Sequence, residues 1–451
     1  MSLRRISVGI FRLGLVLTIS PLVVVGQDNY ILLRSFYDPG PSTNSLWLGS
    51  SAAIEGSIAV VGAPGTHAFL VEFGNIGGAA VFDLNTGRRL KWLEPTSWIE
   101  PNAGAGRSVS ISGQRIAVGA PGYFTSARGS VYLYDSSITN ASPIARIDGR
   151  DGSQFGTAVA LSGDRMVVGA PSLGRGYASL VDLSLSDGDP RFQSVIDNPD
   201  PTNYYGFGSS VSMSGGLAAI AAYRCCDLTS AAWIYDLGSD SPTRPMATLK
   251  TPGAGGLGYF FPKVAISGQL VVMGVPGKAF VFDLRSVTAT NPILTLTNPI
   301  PSDNSYAWSV AISGTRIVVG AGESEVGGYV YDLTSPTASN PIRRLYRPGP
   351  NSDSGFGQSV AIYDSTILVG APRDASSQRP GGAYVYGVQP TLHFRVGAPG
   401  KASISWSPGT PGFVLEAADQ LGSGRWSGTI FTNGVTIDAT NGQGFYRLRL
   451  Q

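Results

Sequence analysis

The sequence predicts an all-β fold built from a four-stranded unit that repeats along the chain. Three observations carry this prediction. Glycine accounts for 60 of the 451 residues, which is typical of short strands joined by tight turns. No segment shows the helical periodicity of apolar residues that an α-helix needs. A Val-Gly-Ala-Pro string recurs at nearly constant spacing, which indicates a repeat architecture.

The recurring string defines seven repeats. Four copies are complete or nearly so, two are weaker, and the one in the fourth repeat is degenerate. Neighbouring copies, aligned on the glycine position, are 46 to 57 residues apart. The copies occupy residues 61–64, 118–121, 168–171, 220–223, 273–276, 319–322 and 369–372.

Each repeat holds four short β-prone runs, A to D in chain order. A is joined to B by Ser-Gly-X, as at Gly113-Gln114, and glycine at the first central position suits a primed hairpin turn. Run B ends in the recurring string, and run C is aromatic and ends in Asp, as in residues 233–236. Four antiparallel strands in a repeat of ~50 residues predict the blades of a seven-bladed β-propeller.

The motifs around runs A and B resemble a known repeat. Phe155-Gly156 before run A, with Gly169-Ala170-Pro171 after run B, resembles the FG-GAP repeat of integrin α subunits, and the bacterial secreted variety in particular. The resemblance covers about residues 28–388 and implies a propeller. Four blades depart from the Phe-Gly pair, which affects local packing and not the fold. The departures are Leu48-Gly49, Ala105-Gly106, Phe260-Phe261 and Tyr306-Ala307.

The last repeat has no run D, and the N-terminal part of the chain offers a replacement. Residues 30–36 precede the first repeat and resemble a D strand. The Tyr-Asp-Pro-Gly-Pro at 37–41 mirrors the Tyr-Arg-Pro-Gly-Pro at 346–350, which follows a D strand. We therefore predict that residues 30–36 pair with 383–386, closing the ring and covering an open strand edge.

The flanking segments predict one processing signal and one further module. Residues 1–26 combine a basic start, an apolar run and small residues, which predicts a secretory signal peptide. An uncleaved membrane anchor is the alternative, although the run is short for a span of about 20 residues. The propeller is assigned to 28–388. Residues 389–451 alternate apolar and polar residues and predict a small β-sandwich-like module. We expect a monomer, secreted or at the cell surface, with no transmembrane segment after signal removal.

The composition provides little for catalysis. The chain contains two histidines, His67 and His393, which fall in different predicted domains. The two cysteines, Cys225 and Cys226, are adjacent, which excludes a zinc cage and leaves either a strained vicinal disulfide or two free thiols. A net charge of +2 predicts no nucleic-acid partner.

Integrin-type repeats often bind Ca²⁺ through an acidic loop between strands A and B. Here that link is only Ser-Gly-X, which offers too few oxygen ligands for a hard cation. The aspartates that end run C recur in most blades, so they are interpreted as turn caps rather than as a single site. We therefore predict no metal, no cofactor and no catalytic residue.

The loops joining D to A and B to C vary in length, whereas the A–B turns are constant. The variable loops carry aromatic and arginine residues, which interfaces enrich. We predict a non-enzymatic extracellular binding, adhesion or scaffold protein that holds a protein or glycan ligand on this loop face. A propeller enzyme acting on a polysaccharide or sugar and a purely structural cell-surface component are the alternatives. The predicted ligand-contacting residues are Trp98, Tyr123, Arg128, Tyr204 and Tyr205.

Overall fold

The computed structural model confirms the all-β, propeller-like fold. No helix among the described residues is long and apolar enough to cross a membrane. The predicted signal peptide lies outside those residues. The structure describes residues 29–37, 47–65, 76–95, 103–122, 127–137, 141–172, 175–184, 193–224, 229–252, 261–301, 305–322, 326–349, 355–373, 381–396, 401–418, 427–430, 433–438 and 445–450.

Seven four-stranded antiparallel sheets, which we call blades 1 to 7, are formed by the described residues up to 388. Blade 1 consists of β2 (Ser51–Glu55), β3 (Ile58–Ala63), β4 (Gly78–Asp83) and β5 (Arg89–Leu93). Blade 2 consists of β6 (Ser108–Ser112), β7 (Arg115–Ala120), β8 (Ser130–Asp135) and β9 (Ala145–Asp148). Blade 3 consists of β10 (Ala158–Ser162), β11 (Arg165–Ala170), β12 (Tyr177–Asp182) and β13 (Gln193–Asp197). Blade 4 consists of β14 (Tyr205–Ser214), β15 (Leu217–Tyr223), β16 (Ser230–Asp236) and β17 (Pro245–Lys250).

The remaining three blades repeat the same order of strands, with one exception at the end. Blade 5 consists of β18 (Lys263–Ser267), β19 (Leu270–Val275), β20 (Lys278–Asp283) and β21 (Leu294–Thr297). Blade 6 consists of β22 (Tyr306–Ser313), β23 (Arg316–Ala321), β24 (Val326–Asp332) and β25 (Arg343–Tyr346). Blade 7 consists of β26 (Ser359–Tyr363), β27 (Thr366–Ala371), β28 (Gly382–Val388) and, as its outer strand, β1 (Tyr30–Tyr37).

The blades form a closed ring around an axis. The first strand of each blade contacts the first strand of the next, and β26 contacts β2 to complete the circle. Apolar side chains fill the space between every pair of neighbouring blades, including blades 7 and 1. The first strands are therefore the innermost, and the hydrophobic core is divided into layers between blades.

The predicted ring closure is confirmed. Strand β1 pairs antiparallel with β28, from Tyr30 opposite Val388 to Tyr37 opposite Gly382. Leu33 and Phe36 of β1 are buried in the layer between blades 7 and 1, where Phe36 stacks on Phe82 with ring centroids 4.1 Å apart. The outer edge of the last blade is thus covered by the strand that comes first in the sequence.

Two glycines make the closest contact between neighbouring blades. The amide of Gly156 donates to the carbonyl of Gly169 in its own blade (3.1 Å), and its carbonyl oxygen accepts the hydroxyl of Ser108 from the preceding blade (2.8 Å). A Cβ added to Gly119 would overlap that same oxygen, and Gly156 has φ +91°, which favours glycine. The Phe-Gly and Gly-Ala-Pro motifs are thus two halves of one contact. It recurs at Gly62–Gly106, Gly169–Gly208, Gly320–Gly357 and Gly370–Gly49.

Serines at the end of the innermost strands join the A–B turns of neighbouring blades. Hydroxyl oxygens accept hydrogen bonds from turn amides one blade further on, as in Ser112 from Gly163 (3.0 Å) and Ser267 from Gly314 (2.9 Å). The first turn residue has positive φ, +58° at both glycines, as a primed turn requires. Ser-Gly-X therefore encodes both the hairpin and a contact between blades.

The aspartates that end the third strands cap the C–D turns, as their recurrence predicts. A carboxylate oxygen accepts the amide two residues ahead, as in Asp83 from Asn85 (2.8 Å) and Asp332 from Thr334 (2.9 Å). These bonds outweigh partial burial and hold the pKa of the Asp332 carboxyl below its usual value. The recurring carboxylates are occupied in local turns.

The C-terminal residues form two three-stranded antiparallel sheets around Ile404, Trp406 and Leu415. Burial raises the pKa of the Glu416 carboxyl, but hydrogen bonds from Arg447 and Arg449 outweigh burial and hold it below the usual value. The exact domain boundaries stay a prediction. The strands are β29 (Thr391–Val396), β30 (Lys401–Ser407), β31 (Phe413–Ala418), β32 (Ser427–Ile430), β33 (Val435–Asp438) and β34 (Phe445–Leu450).

Candidate ligand-binding face

The ring presents two different faces. One carries the two-residue A–B turns and the C–D turns, which are hydrogen-bonded to each other, as in Leu84 N to Ser57 O (2.8 Å). The other, the loop face, carries the B–C and D–A loops. Bridges join the B–C loop of one blade to the D–A loop of the next, as at Gly129–Phe155 and Gly176–Phe207. These bridges hold the base of each loop against its neighbour, so the loop face has a rigid foundation.

The predicted ligand-contacting residues have different surroundings. Tyr204 is 3% exposed and packs edge-on against Trp233, with ring centroids 5.2 Å apart, so its ring contributes to the core between blades. Arg128 is half-exposed and pairs with Asp151 of the next blade, 2.7 Å from Nη2 to Oδ1. Tyr205 is half-buried on the loop face. Trp98, Tyr123, Cys225 and Cys226 lie outside the described residues, so their assignments stay predictions.

Tyr205 belongs to a row of side chains joined by cation–π and ring–ring contacts, which we call the aromatic ladder: Arg175, Tyr205, Tyr223 and Phe261. The guanidinium of Arg175 lies 4.0 Å from the centre of the Tyr205 ring, a cation–π distance. Tyr205 is followed by Tyr223 at 6.2 Å and Tyr223 by Phe261 at 5.1 Å between ring centroids. Phe261 is 43% exposed at the end of the row.

The ladder lies where the contact between blades departs from the repeat. In blade 4 the glycine of the Gly-Ala-Pro string is replaced by Ala221, and in blade 5 the glycine of the Phe-Gly pair is replaced by Phe261. Gly206, with φ +61°, fits beneath the ladder, and an added Cβ would stand 2.9 Å from both Tyr223 and Phe261. Tyr223 and Phe261 were not predicted as ligand contacts. Their paired departure from the motif is the sequence feature that marks them.

Three His, Cys, Asp or Glu side chains placed to hold a metal ion are not found within the part of the chain that the structure describes. The A–B turns of the described blades consist of two residues each, such as Gly113-Gln114 and Gly163-Asp164. Each turn therefore presents few oxygen ligands to a cation that takes six to eight.

Calcium is expected to leave the stability of the protein unchanged. Any ligand that binds only the native state raises the melting temperature by linkage. The measurement is thermal unfolding with millimolar CaCl₂, with MgCl₂ at the same ionic strength as control. A calcium-specific rise of several degrees would contradict this expectation.

Comparison with known proteins supports the repeat that the geometry shows. The FG-GAP repeat matches residues 140–179 and 344–386. These two segments of the chain are therefore FG-GAP repeats. No curated protein matches it.

The matched segments show how the FG-GAP repeat relates to the blades. The second match spans β25 to β28, so the repeat begins with the outer strand of one blade and continues through three strands of the next. The first match has the same offset, from β9 into β12. A chain built of such units begins with an outer strand, which is the place of β1. The pairing of β1 with β28 agrees with the phase of the two matched repeats.

Proposed function

We propose that the chain is a non-enzymatic binding protein, outside the cell or on its surface, that holds a protein or glycan ligand on the loop face of the propeller. The observation that carries this proposal is the aromatic ladder. Exposed aromatic rings next to arginine are the side chains that binding sites enrich. The same rings stack on the apolar faces of sugars and on protein side chains.

The ladder is suited to binding because it is held in place before a ligand arrives. The cation–π contact fixes Arg175 over Tyr205, and Tyr223 is held between Tyr205 and Phe261. Side chains that are already ordered lose little conformational entropy on binding, so more of the contact energy contributes to affinity. Scaffolds that hold variable loops rigidly are where recognition concentrates.

The ligand is found by screening the chain from residue 27, the predicted mature form, on an array of glycans and matrix proteins. Saturable binding to one class supports the proposal and names the ligand. Progressive shortening of a bound glycan during incubation would instead favour the alternative of a propeller enzyme. Failure to retain any glycan or protein, with the protein folded, would favour a purely structural role.

The double variant Tyr205→Ala with Phe261→Ala removes two aromatic rings of the ladder. It is expected to bind the ligand identified by the screen about tenfold more weakly or worse, which corresponds to ~1.4 kcal/mol. The matched control is Tyr363→Ala, because Tyr363 is 40% exposed at an A–B turn on the opposite face. The measurement is the equilibrium Kd, with melting curves to verify folding. Equal Kd values for the ladder variant and the wild type, or a loss confined to Tyr363→Ala, would refute the proposal.

A further inference from the structure

The innermost strands of the seven blades surround the axis of the ring, and their charges are very unevenly distributed. Across the described strands β2, β6, β10, β14, β18, β22 and β26, Lys263 is the one basic residue and Glu55 the one acidic residue. Glu55 lies at the A–B turn end, where Oε2 accepts the amide of Gly113 (3.0 Å). Lys263 begins β18 at the opposite, loop-face end. The axial channel therefore has a cationic mouth.

Lys263 occupies a position that serves another purpose in most blades. The equivalent serines donate their hydroxyl groups to the motif carbonyl of the next blade, at 2.8 Å in each case. A lysine side chain is much longer than serine and carries a charge, so it extends beyond this contact. The serines that make the contact are Ser51, Ser108, Ser309 and Ser359.

A second cation lies at the same mouth, on the other side of the ring. Arg107 directly precedes β6 of blade 2 and is exposed, whereas Lys263 belongs to blade 5 and is half-buried. Desolvation inside the ring, together with the positive charge of Arg107, lowers the pKa of Lys263 to about 8. Two like charges at the same mouth disfavour each other, and an anion between them removes that penalty.

Among the described residues, no carboxylate occupies the two positions that begin the innermost strand of each blade. The position that Lys263 occupies in blade 5 holds Ser51, Ser108, Ala158, Ser210, Lys263, Ser309 or Ser359 in blades 1 to 7. The position just before it holds Ser50, Arg107, Thr157, Ser209, Pro262, Trp308 or Gln358. None of these side chains carries a negative charge that would neutralise the pair.

We propose that the loop-face mouth of the axial channel is an oxyanion site, in which Lys263 and Arg107 together bind one carboxylate, sulfate or phosphate group. Lys263 lies two residues after Phe261 of the aromatic ladder, but the oxyanion site uses none of the ladder side chains. The anion is either a free ion or a group carried by a larger acidic ligand. Both sources present the same chemistry to the two cations, and the experiment distinguishes them.

The test titrates the chain from residue 27 with sodium sulfate, followed by calorimetry and thermal unfolding, with sodium chloride at equal ionic strength as reference. The wild type is expected to bind one sulfate saturably and to melt at higher temperature when it is bound. Lys263→Ser should weaken binding at least tenfold while remaining folded, because it restores the serine found in other blades. Arg107→Gln should also weaken it. Lys278→Gln is the matched control, since Lys278 begins β20 of the same blade at its loop-face end.

A second arm replaces sulfate with a short sulfated oligosaccharide. Tighter binding than sulfate, still lost in Lys263→Ser, identifies a ligand-borne group, and equal affinity identifies a free ion. Tyr205→Ala should leave sulfate binding unchanged, which separates this site from the ladder. The proposal is overturned if sulfate has no saturable effect beyond that of chloride, or if Lys263→Ser and Lys278→Gln bind sulfate as the wild type does.

Discussion

Replacing Gly169 by alanine is expected to destabilise the propeller by about 3 kcal/mol, in the upper range for overpacking a rigid interior. The added Cβ would overlap the carbonyl oxygen of Gly208 in the next blade. Backbone atoms cannot rotate away as a side chain can, so blades 3 and 4 must separate to relieve the overlap. Chemical denaturation of the variant and the wild type measures the difference in free energy of unfolding.

Gly216→Ala is the matched control for this variant. Gly216 lies in an A–B turn of blade 4, and the nearest atom to an added Cβ is 4.0 Å away. Other blades carry Gln114 or Asp164 at the equivalent place, so a side chain is accepted there. The control should unfold like the wild type. If Gly169→Ala does so as well, the contact between the two motif glycines is not a close-packed one.

Removing residues 28–37 is expected to have the largest effect on stability. The deletion exposes the edge of β28 and removes the buried side chains of Tyr30, Leu33 and Phe36. Burial of one such side chain contributes about 1.5–3 kcal/mol, so the total is comparable with the ~5–15 kcal/mol stability of many folded proteins. We expect insoluble protein or a large fall in melting temperature. A truncated chain that melts like the mature protein would show that ring closure is unimportant.

A point variant separates loss of packing from loss of the strand. Phe36→Ala removes a ring that is 3% exposed and stacked on Phe82, which should cost about 3–5 kcal/mol. Leu32→Ala, in the same strand, removes a side chain that is 37% exposed and should cost much less. Equal destabilisation by the two substitutions would mean that β1 stabilises the propeller through its backbone pairing alone, and not through the packing of Phe36.

Much of the fold was predictable because the same local sequence features recur in repeat after repeat. The Ser-Gly-X turn, the outer strands and the pairing of residues 30–36 with the last blade all follow from comparing one repeat with the next. What comparison could not supply is the role of the serines that recur in the innermost strands. Ser112 and Ser108 act across the boundary between blades, and a contact between repeats leaves no mark on the periodicity of either one.

The candidate site was less predictable, for a physical reason. Tyr204 and Tyr205 are adjacent, yet one ring is buried against Trp233 and the other lies under Arg175. The side chain of each residue is directed by its position at the start of β14, which composition does not reveal. Tyr223 and Phe261 become neighbours only when two blades pack together. Lys263 was not predicted as a site residue, because a single lysine cannot be placed near the axis of the ring before the fold is known.

The pairing of β1 with β28 also determines the order in which the molecule is completed. Tyr30 is synthesised before every other strand of the propeller, and its partner Val388 after all of them. At ~5–20 residues per second, β1 waits roughly 20 to 70 s for that partner. Contacts between such distant residues must also overcome the entropy of closing a very long loop, which slows folding. The strand that is made first therefore cannot pair until the whole propeller has been synthesised.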